Sequence, residues 1–245
     1  MEHIFDNKLN ERITNGQLRS LNHFSSPIDF FSNDYLGLSS VKPKSISHKG
    51  STGSRLLSGT SSISLETEFK LAKFFDCEAA LIFNSGYSAN LGVYSCIPAR
   101  GDTIIYDEYV HASIRDGIRL SFAESLSFKH NDLTDLEKTL KKSKGNCYIA
   151  VESLYSMEGD MAPLRGMLNL ADKYDAKLIV DEAHAVGVFG ENGKGIVHAR
   201  AIQERIFIRI VTFGKAYGFH GAAVLSDEKT KQYLVNFSRP FIYTT

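Results

Sequence analysis

Lys215 is the most reactive candidate in this chain. It sits in Thr212-Phe213-Gly214-Lys215-Ala216-Tyr217-Gly218, directly after the apolar run from Ile206 to Val211. That run reads as a buried strand. The flanking Gly214 and Gly218 are expected to allow a tight bend or a close approach to a ligand. A lysine at an apolar strand end is costly to keep charged, so burial lowers its pKa and frees the amine to form a Schiff base. The plainer alternative is an exposed loop lysine, the usual fate of the residue type.

Upstream stands Asp181-Glu182-Ala183-His184, closing the apolar stretch Lys177–Val180. Four kinds of chemistry use such a cluster. A helicase-type acidic box needs an earlier G-x-x-x-x-G-K-[ST] loop, and the sequence has none. A hydrolytic triad of Ser156, His184 and Asp181 needs a G-x-S-x-G turn, also missing. A metal site needs further ligands at matching spacing, and no second pair occurs, so the expected metal set is none. Pyridoxal phosphate (PLP) chemistry asks for four parts: a βα turn for the phosphate, a ring over the cofactor face, an acid facing the pyridine nitrogen, and a later lysine. Ser85-Gly86, His111, Asp181 and Lys215 occur in that order. Asn84-Ser85-Gly86-Tyr87 lies between an apolar strand and a helical pattern, where free N–H groups point at an anion, although many such turns bind nothing.

These groups need a frame to converge. The chain has 245 residues, 43% hydrophobic and 23% charged, with 28 basic and 28 acidic side chains. That balance is of a globular protein; it offers no basic field for nucleic acid and no apolar run of membrane-spanning length. The N-terminus lacks a signal-peptide core, and Cys77, Cys96 and Cys147 stand apart, so free thiols in a reducing cytoplasm are expected. Residues 1–26 read as a helix over Lys8–Leu21 and a loop; Ile28–Leu38 reads as a short strand leading into a turn. Residues 39–62 are rich in Ser, Gly and Thr and read equally as a flexible linker or as a substrate-facing loop around Arg55. From Ser64, taken as a helix cap, helical and strand patterns alternate. Strands are expected at Ala79–Phe83, Thr103–Asp107, Leu126–His130, Cys147–Ser153 and Lys177–Asp181, with helices between them at His111–Phe122, Leu133–Lys142 and from Pro163 to Tyr174. This spacing predicts an α/β fold, three layers with a mostly parallel sheet and helices on both faces. Ser85, Ser156, Asp181 and Lys215 then fall at one sheet edge, where ligands bind such folds.

Taken together, Ser32–Leu38, Ser54–Gly59, Asn84–Asn90, His111–Ser113, Ser156–Asp160, Val180–His184 and Thr212–Lys215 resemble the α-oxoamine synthases, which are fold-type I PLP enzymes. The resemblance runs from about Leu18 to the last residue, and His220–Val224 is most similar to the biotin-synthesis branch. It implies a decarboxylative condensation of L-alanine with a pimeloyl thioester, delivered by CoA or acyl-carrier protein. Sister branches, the aminoketobutyrate ligases and serine palmitoyltransferases, are the alternative, as is a truncated PLP-binding subunit without catalysis. By resemblance Lys215 carries the cofactor and moves the proton at the substrate Cα. Asp181 pairs with the pyridine nitrogen, His184 and Ser156 with the ring hydroxyl, and His111 stacks on the ring and polarises the thioester carbonyl. Gly86, Tyr87 and Thr212 hold the phosphate, and Arg19 and Asn33 contact the substrate.

The resemblance also implies a homodimer with a shared active site. It divides the chain into an N-terminal arm (1–45) and a PLP-binding large domain (46–245). Members of the family continue into a small C-terminal domain with an arginine for the amino acid carboxylate, while this chain stops at Phe241–Thr245; the segment between Leu38 and Gly50 is also short for the family. The expectation is a chain that binds PLP and condenses alanine poorly. Lys49–Ser62 and Tyr243–Thr245 are expected near a partner's cofactor.

Overall fold

The structure is a computed structural model that describes residues 4–21, 28–42 and 50–245. Two compact units divide the chain, Met1–Ser32 and Asn33–Thr245. In the first, helix α1 spans Asp6–Thr14 and buries no side chain. It ends well before Leu21, because Gly16 takes a positive φ of 63° just past the cap. The short strand expected at the start of Ile28–Leu38 does not form. The Asp29 carboxylate instead accepts from the backbone N–H of Phe31 and Ser32, at 2.8 and 3.0 Å, a local turn that competes with extension. Residues 22–27 and 43–49, with parts of the expected loops, lie outside the described residues.

The second unit holds the sheet. Helix α2 (Ser62–Phe74) is capped by Ser61 and not by Ser64; the two serines form a reciprocal capping box. Then follow β1 (Ala79–Phe83), α3 (Gly86–Cys96), β2 (Thr103–Asp107), α4 (Ala112–Leu120), β3 (Glu124–Phe128), α5 (Leu133–Leu140), β4 (Cys147–Glu152), α6 (Leu164–Lys173) and β5 (Ala176–Asp181). A short helix α7 (Ile196–Ala199) precedes β6 (Ile208–Thr212), β7 (Ala222–Ser226), α8 (Glu228–Phe237) and α9 (Arg239–Ile242). The seven strands lie in the order β1-β7-β6-β5-β4-β2-β3. Only β7 runs against its neighbours, pairing antiparallel with β1 and β6. Sequence patterning does not single out this inversion: β7 is as apolar as the parallel strands and is buried throughout.

Every residue of β4, β6 and β7 is buried, as a sheet covered on both faces requires. Helices α4, α5 and α6 are amphipathic; α6 buries Leu164, Met167, Leu168 and Ala171, the 3–4 spacing of one helical face. The register places Glu152 beside Asp181 at the C-terminal ends of β4 and β5. One sheet edge therefore carries the loops after β1, β2, β4, β5 and β6.

Candidate active site

At that edge the Lys215 amine lies 2.6 Å from His184 Nε2. Burial lowers the Lys215 pKa, opposed by the Asp181 and Glu152 carboxylates. Burial, and then the Lys215 charge, pull His184 down to about 4, so it is neutral at pH 7. Its tautomer follows from its other neighbour. Tyr35 donates its hydroxyl proton to Asn33 Oδ1 at 3.1 Å and lies 2.8 Å from His184 Nδ1. With its proton so committed, Tyr35 accepts from Nδ1–H, and Nε2 is left to accept from the lysine. Gly218, at φ 61°, is required here: a Cβ would sit 2.1 Å from Ser39 N. Gly214 has no such need, since a Cβ there would meet only Phe219 O at 3.7 Å.

The Asp-Glu-Ala-His stretch divides its labour. Asp181 and His184 face the site, while Glu182 points into the core to Arg209. Asp181 Oδ1 accepts from Ala183 N at 2.9 Å, and Oδ2 from Asn90 Nδ2 at 2.7 Å. His111 caps α4 and is exposed; its ring Nδ1 lies 2.8 Å from Ser113 Oγ, and its backbone N–H donates to Glu152 Oε1 at 2.7 Å. Burial and the Asp181 carboxylate raise the Glu152 pKa.

An anionic cofactor meets a fitting cradle. Gly86 opens α3, and a Cβ on it would fall 2.5 Å from Thr212 Cγ2, so only glycine leaves this wall open. Ser85 caps the helix by accepting from Ser88 N. The remaining first-turn N–H groups suit a phosphate. Tyr87 donates to Asp116 at the rim. Ser156 is exposed in the loop after β4. The terminal segment reaches the same place: Asn84 Nδ2 donates to Thr244 Oγ1 at 3.3 Å.

Thus Lys215, His184 and Asn33 come together, as do Asp181 and His111, with Gly86 against Thr212. Arg19 is exposed and belongs to the first unit. Arg55 is not free for a substrate. Its guanidinium pairs with buried Glu68 at 2.8 Å and lies over the Phe241 ring, which ties the Ser/Gly-rich loop to α2 and α9. Patterning missed Tyr35, Asn90, Ser113 and Glu152. Asn90 and Ser113 lie inside helical patterns, where a polar residue carries no positional signal. Among the described residues no helix is long and apolar enough to cross a membrane, and no His/Cys/Asp/Glu group is placed to hold a metal.

His184 predicts a pH dependence. An unfolded chain takes up its proton near pH 6.5, the folded unloaded protein only near pH 4. The unfolded state binds more protons across that window, so stability falls as pH drops through it. Urea midpoints at pH 7.5 and pH 5 will show the wild type losing about 2 kcal/mol more than His184→Gln, a unit of pKa being worth about 1.4 kcal/mol. Equal losses in both proteins would refute the assignment.

Comparison with known proteins shows the family. The model for class I and II aminotransferases matches residues 25–245. The chain is 41% identical to the 8-amino-7-oxononanoate synthase of Emericella nidulans, covering 90% of this chain and 60% of that one. Among solved structures, serine palmitoyltransferase (SPT) with its PLP internal aldimine is 32% identical with a TM-score of 0.88, covering 98% of this chain and 67% of that one. The 8-amino-7-oxononanoate synthase of Francisella tularensis is 35% identical with a TM-score of 0.75, covering 89% and 64%. The chain spans about 60% of the length of the curated relatives it matches.

Proposed function

Because the chain belongs to the class I and II aminotransferase family, in its α-oxoamine synthase group, whose cofactor is PLP, we propose that it joins L-alanine to a pimeloyl thioester with loss of carbon dioxide, giving 8-amino-7-oxononanoate. The observation that carries this reading is the partly buried, pKa-lowered Lys215 amine held at 2.6 Å by a neutral His184, on the sheet edge that also bears Asp181. The names of the curated relatives favour 8-amino-7-oxononanoate as the product. The higher TM-score to SPT supports a second reading, serine with a longer acyl thioester.

When bound, the cofactor supplies an electron sink for charge developing at the amino acid Cα. The protein's own part is positioning and proton transfer. Lys215 attaches the cofactor and afterwards holds or returns a proton at the substrate Cα; its lowered pKa suits both tasks. Asp181, fixed by Ala183 N and Asn90, sets a negative charge for the cationic ring nitrogen. His184, held by Tyr35 and Asn33, would turn its Nε2 from the lysine to the ring hydroxyl once the lysine is engaged by the cofactor. Gly86, Tyr87 and Thr212 bind the phosphate, with Ser156 at the ring. His111 covers the ring face and donates to the thioester oxygen. A homodimer with a shared site and CoA or carrier-protein delivery complete the reading.

The test is direct. Protein supplied with PLP is offered alanine with pimeloyl-CoA, or serine with palmitoyl-CoA, and products are weighed by mass spectrometry. An aminooxononanoate supports the first reading and a long-chain ketone the second; PLP binding with neither product sinks both. Asp181→Asn should keep the fold, its one remaining oxygen still accepting from Asn90 while the bond from Ala183 N is given up, yet lose about 10²–10³-fold in turnover with its charge. A variant within threefold of wild type shows that the charge is not used.

A further inference from the structure

A buried chain of hydrogen bonds joins the two sides of the site. Helices α3 and α4 approach closely because Gly117 has no side chain: a Cβ there would lie 2.8 Å from Tyr94 Cβ and 3.0 Å from Asn90 O. This brings Ser113, on the first turn of α4, against Asn90 of α3, and both are buried. The Asn90 amide nitrogen lies 2.7 Å from Asp181 Oδ2 and 3.0 Å from Ser113 Oγ. Turning the amide over would set its oxygen against a carboxylate that only accepts, so the nitrogen must face Asp181. Its carbonyl Oδ1 is left buried without a partner among the described residues. Such a cost is tolerated where the orientation matters to a site.

The donor count then runs outward. Both Asn90 amide hydrogens are committed, one to Asp181 and one to Ser113. Ser113 Oγ is thereby an acceptor, and its single proton goes to its remaining neighbour, His111 Nδ1, at 2.8 Å. The Ser113 backbone N–H also points at Nδ1, at 3.2 Å. A nitrogen receiving two donors keeps its lone pair.

We propose that Asn90 and Ser113 are positioning residues that hold the neutral His111 ring with its proton on Nε2, so that His111 acts on the substrate as a hydrogen-bond donor and not as a base. The same amide orients the Asp181 carboxylate, so one residue would set both the charge offered to the ring nitrogen and the donor offered by His111. This rests on the reading of the site as a PLP site, which the absorbance titration with PLP tests separately.

The experiment is long-range ¹H–¹⁵N NMR on ring-labelled histidine in the full chain, with and without PLP, the His111 signals being assigned by their loss in His111→Gln. At pH 7.5, His111 Nδ1 is expected in the unprotonated range and Nε2 in the protonated range. Ser113→Ala and Asn90→Ala should each give a mixture of tautomers, while Ser113→Thr, which keeps the hydroxyl, restores the wild-type signature. Asn90→Ala should also weaken PLP binding about tenfold, the scale of one hydrogen bond to a charged group. A wild-type ring protonated on Nδ1 overturns the proposal. So does an unchanged spectrum in both alanine variants. Should Asn90→Ala fail to fold, the wild-type spectrum and the Ser113 pair decide by themselves. The stated tautomer in a chain that shows no PLP absorbance would refute the cofactor reading and leave the relay standing.

Discussion

Lys215→Ala loses its covalent hold on PLP. Titration of the wild type with PLP should give a protein-linked visible band, and borohydride followed by peptide mapping should place the label on Lys215. The alanine variant should give neither, and turnover should fall by several orders of magnitude, as when a nucleophile is removed from a unit that acts together. The reason lies in the immediate surroundings. The Lys215 amine is partly buried, its pKa is lowered, and its hydrogen-bond partner is a histidine that cannot share the positive charge. Lys215→Arg separates charge from reactivity, since guanidinium stays protonated and cannot attack a carbonyl. It should fail as completely as alanine. A label on any other lysine, or a visible band surviving in Lys215→Ala, refutes the assignment.

Arg209→Met is expected to lose about 3–5 kcal/mol of stability, because it strands the buried Glu182 carboxylate. Arg209 donates to Glu182 Oε2 through Nη2 at 2.6 Å and Nε at 3.0 Å, and to the carbonyls of Lys194 and Phe75 at 2.8 and 3.2 Å. Glu182 Oε1 in turn accepts from Val197 N at 2.9 Å. The pair thus ties β6 to the loop after β5 and to the start of α7, one layer behind Asp181 and His184. The double variant Glu182→Leu/Arg209→Met removes the stranded charge and should recover part of the loss. Urea unfolding of the three proteins at pH 7.5 checks this. A loss below about 1 kcal/mol in the single variant would show that water reaches the pair, for exposed pairs are worth no more than that. Cofactor absorbance in the folded variants should persist, because Glu182 touches no site residue through its side chain.

The strand–helix alternation was readable because burial on both sheet faces leaves unbroken apolar runs such as Ile149–Val151 and Leu178–Val180. Boundaries slipped where a local bond outcompeted the pattern: the Asp29 turn displaced a strand, and Ser61 displaced Ser64 as the cap. Arg55 looked available for a substrate because nothing local marks Glu68, thirteen residues on in α2, as the buried acid that pairs with it, while Leu65 and Phe69 of the same helix are exposed.

The order of residue types along the chain determined the αβ layering, the shared sheet edge, and the placing of Ser85-Gly86, Asp181 and Lys215 on it, since each follows an apolar strand. Tertiary structure alone decided which polar groups meet there. Tyr35 reaches His184 across 149 residues, and Asn90 reaches Asp181 across 91. No local period encodes such a meeting. It depends on how closely α3 and α4 approach and on the order of the strands. For the same reason only the folded chain separates neighbours in sequence: the strand alternates its side chains, so Asp181 turns to the ligand edge and Glu182 to Arg209 in the core.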